Sequence, residues 1–517
     1  METERFSRND PPAAAAACLR GNHSSFAFMS IPALLILAAA MLFVAGCEGD
    51  DVSSPGEEQL DGLYPPELVI WESFLGTGKF RGRTMFPATA QVLAGISYSF
   101  QWQGISPNDP LDHYSYRYGW DIEDPETDTG WAVPWNPYSK HSEPMSFESG
   151  VHVFYAEVKN LSGEIARARV SVEVIPYRAQ RDLLWIDDYL LDDYSATMME
   201  PGESVHDAFW TEICSAVPGW NPARDVFPAD VQSIGEHMPL EVLADYRSVV
   251  WTWGSHSFTT WRNTINFTPR LSLSTFPRPN TLKMFLAAGG RALTCGRASR
   301  AEGGLSAIFL EEPECPVTAS SELLSFEYDP RYSTRALPFD EFHITAIDEV
   351  IGNFRTDLGV TRDLTRDAMR MALETGAATG LDLPDTLVLD EQVTCPVCFF
   401  NPEERGFYYV EAYDPSYIMD YLGVESHPCF TPLYLMRTRN SVSPLDWAPV
   451  ALRMDPRCSL QMGYTDPAPG SAGASSTPAA AWPAPRYSYH FGFPLWFMDH
   501  DSVRQLTSEI FYEWGIK

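Results

Sequence analysis

The chain has 517 residues, 45% hydrophobic and 20% charged, with 15 Trp, 23 Tyr and 29 Phe. Such a composition can fill a sizeable core and excludes wholesale disorder. Lys and Arg number 36 against 69 Asp and Glu, a net charge of −33, which repels phosphate backbones and excludes general nucleic-acid binding.

Residues 31–46, IPALLILAAAMLFVAG, are apolar and uncharged, and Arg5, Arg8 and Arg20 precede them. Charge followed by an apolar run is the layout of a secretory signal. A membrane-spanning helix needs about 20 apolar residues, and Ser30 and Pro32 interrupt the run before it reaches that length. Val44-Ala45-Gly46-Cys47 resembles a bacterial lipobox. The resemblance implies a signal peptide over 1–46, cleavage before Cys47, a diacylglycerol on the Cys47 sulfur and acylation of its new amine. Two or more acyl chains anchor a protein stably, so the lipid bilayer is an expected partner, at the outer membrane or cell surface. The other reading of the same stretch is an uncleaved anchor. Residues 47–63 form an acidic, polar tether that has nothing to bury.

Seven cysteines follow Cys47: Cys214, Cys295, Cys315, Cys395, Cys398, Cys429 and Cys458. An exported chain meets an oxidising compartment, so disulfides are expected among them, with at least one thiol left over. Cys395-Pro396-Val397-Cys398 has redox or zinc spacing, but no second close pair accompanies it.

From residue 64 to 176 the pattern is β. Ala168, Val170, Val172 and Val174 alternate with polar neighbours, the period of a half-buried strand. The run Val151–Val158 precedes them across the polar turn 159–163, which predicts a hairpin. Further strands are predicted over Glu67–Trp71, Gln91–Leu93 and Ser97–Gln103, and together they predict a β-sandwich. Tyr118-Gly119-Trp120-Asp121, Phe147–Phe154, a Gly turn and an alternating last strand resemble the polycystic-kidney-disease type of immunoglobulin-like repeat, with Trp120 as a core residue. Such domains serve as spacers or binding modules on exported proteins. The loop after Trp120 holds five carboxylates and reads as a solvated acidic loop; Asp121, Glu123, Asp124 and Asp128 are its candidate calcium ligands.

From residue 181 to the end, strands and helices alternate, which predicts an α/β domain with a parallel sheet. Leu183–Asp187, Ser248–Gly254, Arg291–Gly296, Ala448–Met454 and Tyr487–Met498 are the predicted strands. Helices are predicted over Ser204–Cys214, with Ser204 as cap and Val205, Ala208, Phe209 and Ile213 facing inward, and over Pro239–Ala244, Thr281–Ala288 and Asp501–Trp514. Residues 297–447 read as a long insertion with one helical stretch near Asp363–Leu373, and residues 465–485, rich in Pro, Ala and Ser, as a mobile loop. Leu286–Gly296 and Phe491–Leu495 resemble the corresponding stretches of the flavodoxin-like core of class I glutamine amidotransferases and their non-catalytic relatives. The resemblance puts Cys295 at the nucleophile turn, and Phe493 and Leu495 where that family carries the His and Glu of its catalytic site. A thiol without a base and its orienting carboxylate is not activated in that family's way. His490 lies three residues before Phe493, on the other face of the strand, and His500 stands at a helix start.

Asp187, Asp188, Asp192 and Asp193 cluster just after the first strand of this domain; an ordinary acidic loop is the plainer reading of the cluster, and Asp187 and Asp188 stand nearest the strand end. Sheets of this kind bind ligands beyond the carboxyl ends of their strands, which makes these two residues the candidate ligand-binding pair. No glycine-rich phosphate loop accompanies them, and no cofactor is expected. The function expected from the sequence is a non-catalytic, lipid-anchored envelope protein that binds or scaffolds a glycan, peptide or protein. The alternative is a cysteine hydrolase or amidotransferase-like enzyme using Cys295.

Overall fold

The computed structural model describes residues 66–72, 74–83, 88–105, 113–127, 129–189, 201–229, 238–254, 280–296, 324–327, 346–351, 373–375, 379–388, 390, 409–414, 430–436, 449–455 and 487–517. The chain is multidomain, with several β-sheets and some helices, and the described residues all belong to one unit, Gly62–Lys517. The signal stretch, Cys47, the tether, Asp128, the 465–485 loop and Cys315, Cys395, Cys398, Cys429 and Cys458 lie outside the described residues. Among the described residues, no helix is long and apolar enough to cross a membrane.

This unit opens with nine strands: β1 (Glu67–Glu72), β2 (Gly76–Arg81), β3 (Ala88–Leu93), β4 (Ser97–Tyr98), β5 (Phe100–Ile105), β6 (Ser115–Trp120), β7 (Met145–Ser146), β8 (Gly150–Lys159) and β9 (Ile165–Ile175). β2-β1-β5 form one sheet and β3-β9-β8-β6 another, with β4 and β7 paired beside them. β8 and β9 make the antiparallel hairpin that the alternation predicts. Every second residue of β1 is buried, as is every second residue of β5 from Phe100 to Gly104, so the inward faces of the two sheets meet. Phe100 of one sheet stacks on Phe154 of the other, with ring centroids 4.2 Å apart, and Trp102, Tyr118 and Trp120 surround Phe154. Burying rings of this size supplies the main stabilisation of such a core, at roughly 25 cal/mol per Å².

The α/β part follows: β10 (Arg181–Asp187), α1 (Glu203–Cys214), α2 (Pro222–Asp225), β11 (Val226–Pro228), α3 (Leu240–Leu243), β12 (Tyr246–Thr252), α4 (Thr281–Ala287) and β13 (Arg291–Cys295). Next come β14 (Leu324–Glu327), β15 (Ala346–Ile351), β16 (Leu373–Thr375), β17 (Thr386–Leu387), β18 (Tyr409–Asp414), β19 (Phe430–Met436), β20 (Pro449–Met454), β21 (Ser488–Phe491) and α5 (His500–Glu513). Nine of these strands form one sheet in the order β11-β10-β12-β13-β21-β20-β19-β16-β17. The first five run parallel. The rest pair antiparallel, so the sheet is mixed rather than wholly parallel as expected.

Several local expectations are corrected. Residues 297–447 are not simply inserted outside the core: β16, β17 and β19 extend the main sheet, while β14, β15 and β18 form a sheet of their own. Of the helix predicted near Asp363–Leu373, residues 363–372 are outside the described residues and Leu373 begins a strand. The last strand ends at Phe491, and a single 3₁₀ turn, Leu495–Phe497, follows Pro494; proline has no N–H to continue a ladder. Gly202, not Ser204, caps α1, without a side-chain bond. Val205 is 51% exposed, while His206 and Trp210 join Phe209, Ile213 and Cys214 on the buried face.

The core of β1–β9 does not stop at residue 176. Leu240, Ala244 and Met284, from α3, its C-terminal end and α4, belong to the same buried cluster as Phe100 and Trp102. Tyr98 donates to the Leu93 carbonyl and contacts Met284 Sδ at 3.7 Å, and Asn280 N donates to the Phe74 carbonyl at 2.8 Å. A second core lies between the main sheet and α1 and α5, and includes Trp185, Phe209, Leu293, Phe491, Phe493 and Ile510.

Candidate functional site

The parallel strands β10, β12 and β13 end side by side at Asp187, Thr252 and Cys295. Each strand is buried on both faces, so polar groups gather where the ladder runs out. Trp185 Nε1 donates to Thr252 Oγ1 at 3.0 Å. Asp188 N donates to the Thr252 carbonyl at 2.9 Å, and Trp251 Nε1 reaches Asp188 Oδ2 at 3.4 Å. Asp187 and Asp188, both expected to be accessible to a ligand, are 5% and 1% exposed. Asp188 is thus a buried acceptor for the neighbouring strand. Asp187 stands where α1 passes over the strand ends.

α1 brings His206 onto Asp187. The imidazole Nδ1 lies 3.7 Å from Asp187 Oδ1 and 3.9 Å from Asp207 Oδ1, both beyond hydrogen-bond reach. The three ligating atoms lie within 4.8 Å of one another. Tyr189 stacks on the His206 ring at 4.0 Å between centroids, and its hydroxyl donates to the Pro201 carbonyl. Burial holds the His206 pKa below its ordinary value.

A small pocket opens at the same edge. Tyr189, His206, Trp210, Trp253 and Trp496 line it, and Cys295 contributes from β13. Cys295 is 2% exposed and, like the fully buried Cys214, unbridged. Burial pushes the Cys295 thiol far above its ordinary range, against the Leu495 backbone N–H that bonds it. Phe493 and Leu495 are both fully buried. The register of β13 and β21 pairs Cys295 with Phe491 and Thr294 with His490. His490 therefore faces away from the thiol and bonds Thr294 Oγ1 at 2.7 Å. Burial lowers its pKa to about 3. Gly296 follows Cys295 because nothing larger fits: a Cβ there would lie 2.4 Å from the Trp253 ring. His500 is the first residue of α5, and the capping side chain is that of Asp499, which accepts from Ser502 N at 2.9 Å.

The acidic loop after β6 is a different environment. Asp121 uses one oxygen to accept from Val153 N at 2.8 Å and the other to bond His152 Nδ1 at 2.7 Å. Asp124 accepts from Glu126 N at 3.0 Å. Glu123 is exposed beside them. The Asp121 and Asp124 carboxylates thus hold local backbone, and among the described residues they form no metal-holding group with Glu123.

No family model matches the chain, and no curated protein does. Solved structures do. A PKD domain of an M14-like peptidase from Thermoplasmatales archaeon SCGC AB-540-F20 is 16% identical, with TM-score 0.13, over 22% of this chain and 97% of that one. A family 39 glycoside hydrolase from Bacteroides cellulosilyticus WH2 is 11% identical, with TM-score 0.15, over 45% of this chain and 36% of that one. A polysaccharide deacetylase from Bacillus cereus is 12% identical, with TM-score 0.12, over 41% of this chain and 60% of that one. Matches at these TM-scores say nothing about activity.

Proposed function

We propose that this chain is a bacterial cell-envelope lipoprotein, anchored through acylated Cys47, that binds an extracellular glycan, peptide or protein group in the pocket at the strand ends without using Cys295 as a nucleophile. The lipobox-like Val44–Cys47 supports the anchor. The two packed sheets of β1–β9 support an immunoglobulin-like module of the PKD type. The order β11-β10-β12-β13-β21, all parallel, is the 2-1-3-4-5 order of flavodoxin-like sheets and supports a degenerate amidotransferase-like domain.

The observation that carries the binding reading is the chemistry of the pocket. Its wall is aromatic, and its one thiol is buried and kept protonated. Aromatic walls with a few polar groups suit recognition of a sugar ring or side chain. The test uses the full-length chain in detergent on glycan and peptide arrays, with Trp496→Ala as the pocket variant. Trp496 lines the pocket and is only half-buried, so the variant should fold and lose at least about tenfold in affinity for whatever the protein retains. No retained ligand, or one indifferent to Trp496→Ala, would overturn the reading. The hydrolase reading keeps one observation, that His206 and Cys295 line the same pocket. Rapid labelling of native Cys295 by iodoacetamide at neutral pH would favour it; protection until unfolding favours the binding reading.

A further inference from the structure

We infer that Asp187, His206 and Asp207 form a binding site for one divalent transition-metal ion at the carboxyl ends of the parallel strands. The inference does not depend on what the neighbouring pocket binds.

The decisive observation is His206. It is 3% exposed, on the inward stripe of α1, yet its Nδ1 has no hydrogen-bond partner. A buried polar atom left without a partner costs roughly 1–3 kcal/mol, and proteins rarely leave one so. The nitrogen is aimed at two carboxylate oxygens that stand too far away to accept a proton from it, at 3.7 and 3.9 Å. One of them, Asp207 Oδ1, is itself a buried atom without a partner. A direct Asp–His bond would have closed to about 2.7–3.2 Å. Three lone-pair donors held apart around one point are what a cation between them requires. Ligand bonds of roughly 2.0–2.2 Å put tetrahedral donors about 3.4 Å apart. The donors here, all within 4.8 Å of one another, need only small side-chain rotations to reach it.

The donor set names the class of ion. Two carboxylates and a neutral imidazole carry a charge of −2, which a divalent ion neutralises. Calcium and magnesium prefer oxygen ligands throughout, whereas an imidazole nitrogen with carboxylates suits zinc, iron or nickel. Three protein ligands leave a position open, the mark of sites that take up water or a ligand rather than purely structural ones. His206 also lines the aromatic pocket, so the ion stands beside it. The spacing is fixed by the fold: Asp187 ends β10, and the side chains of His206 and Asp207 leave the first turns of α1 toward it.

The test is zinc titration of chelator-stripped full-length chain in detergent, read by competition with a chromophoric chelator, together with visible absorption of the cobalt(II) form. The expectation is one tightly bound zinc per chain, with millimolar calcium and magnesium failing to displace it. His206→Ala should weaken that site by at least about tenfold and remove the intense cobalt absorption. Asp207 is 44% exposed at its side chain, so Asp207→Asn keeps the fold if His206→Ala does not, and it should weaken zinc binding comparably. Zinc binding weaker than about 0.1 mM in the unaltered chain, or wild-type affinity and an unchanged cobalt spectrum in folded Asp207→Asn, would overturn the site. With 69 acidic residues, the chain also offers weak surface sites. Those contribute equally to the unaltered and variant proteins, and the comparison cancels them.

Discussion

Glu157 should be the costliest single charge to remove from the β1–β9 part. It lies on β8, is fully buried, and receives Arg117 Nε at 2.6 Å and Arg167 Nε at 2.6 Å. The two arginines are themselves 7% and 8% exposed at their side chains. Trp131 and Trp135 cover the Arg117 guanidinium at 4.0 and 4.4 Å, which keeps water from it. Removing the carboxylate leaves two buried cations facing each other, and breaking a buried pair in this way costs roughly 3–5 kcal/mol. Glu157→Gln keeps the shape but offers one acceptor to two guanidiniums and turns an amide N–H₂ toward the other, so the loss should lie in that range. Glu126 also meets Arg167, but from the surface, with 54% of its side chain exposed. Glu126→Gln should therefore cost less than about 1 kcal/mol. Urea unfolding followed by tryptophan fluorescence compares the two, urea being preferred because an ionic denaturant would screen the charges. A loss for Glu157→Gln no larger than that for Glu126→Gln would refute the reasoning.

Three further outcomes are expected. Gly296→Ala places a methyl 2.4 Å from the ring of the buried Trp253, on a backbone at φ +155° that L residues rarely adopt; the overpacking should cost about 1–3 kcal/mol. Gly202→Ala, with open space around the added carbon, should stay within about 0.5 kcal/mol in the same denaturation assay. Burial acts to lower the pKa of His152, but its bonds to Asp121 and the Ser149 carbonyl outweigh it and hold the value above the ordinary 6.5. A raised value in the folded state means that the pair's stabilisation is complete below pH 6.5 and is lost as pH rises through the folded value. In an NMR titration, Asp121→Asn should lower the His152 midpoint; an unmoved midpoint would contradict the assignment.

Period-2 alternation made β9 legible because its later half buries one face and leaves the other partly wet, and the polar turn before it placed β8 as its partner, although β8 is buried on both faces from Phe154 to Val158. The short apolar runs of β10, β12 and β13 were legible for the opposite reason, being buried on both faces between flanking polar turns. Of the antiparallel half of the main sheet, Ala448–Met454 was legible as the strand that is β20, but β16, β17 and β19 were not. β16 and β17 hold three and two residues, too few for a period, and they are strands only because distant segments pair with them. The phase of α1 was missed for a narrower reason. Choosing apolar residues alone turned Val205 and Ala208 inward, and both are exposed. The stripe that the fold uses is 206, 209, 210 and 213, the i, i+3, i+4, i+7 pattern of a helix face, and admitting a histidine to it recovers that face from the sequence.

That correction also changes what the strand-end carboxylates mean. Read alone, Asp187 and Asp188 are adjacent acids beyond a strand and suggest an exposed polar patch. Asp187 is the last residue of β10 and Asp188 lies beyond it, bonded to β12, so the two do not act together. The Asp188 carboxylate accepts from the Trp251 indole and its backbone N–H donates to the Thr252 carbonyl, which makes it part of the sheet's own bonding. Asp187 points to the face that α1 covers, where it meets His206 and, one residue on, Asp207. The pairing of a strand end with the first turns of the next helix, rather than the run of acids along the chain, concentrates chemistry at one place. Alternation along a strand separates Cys295 from His490, since the residue opposite His490 in the register is Thr294. The edge of the sheet thus sets a buried thiol with no partner from β21 beside an unpartnered imidazole nitrogen and two carboxylates. Whatever this edge does is therefore to be sought at the imidazole and carboxylates, before the sulfur.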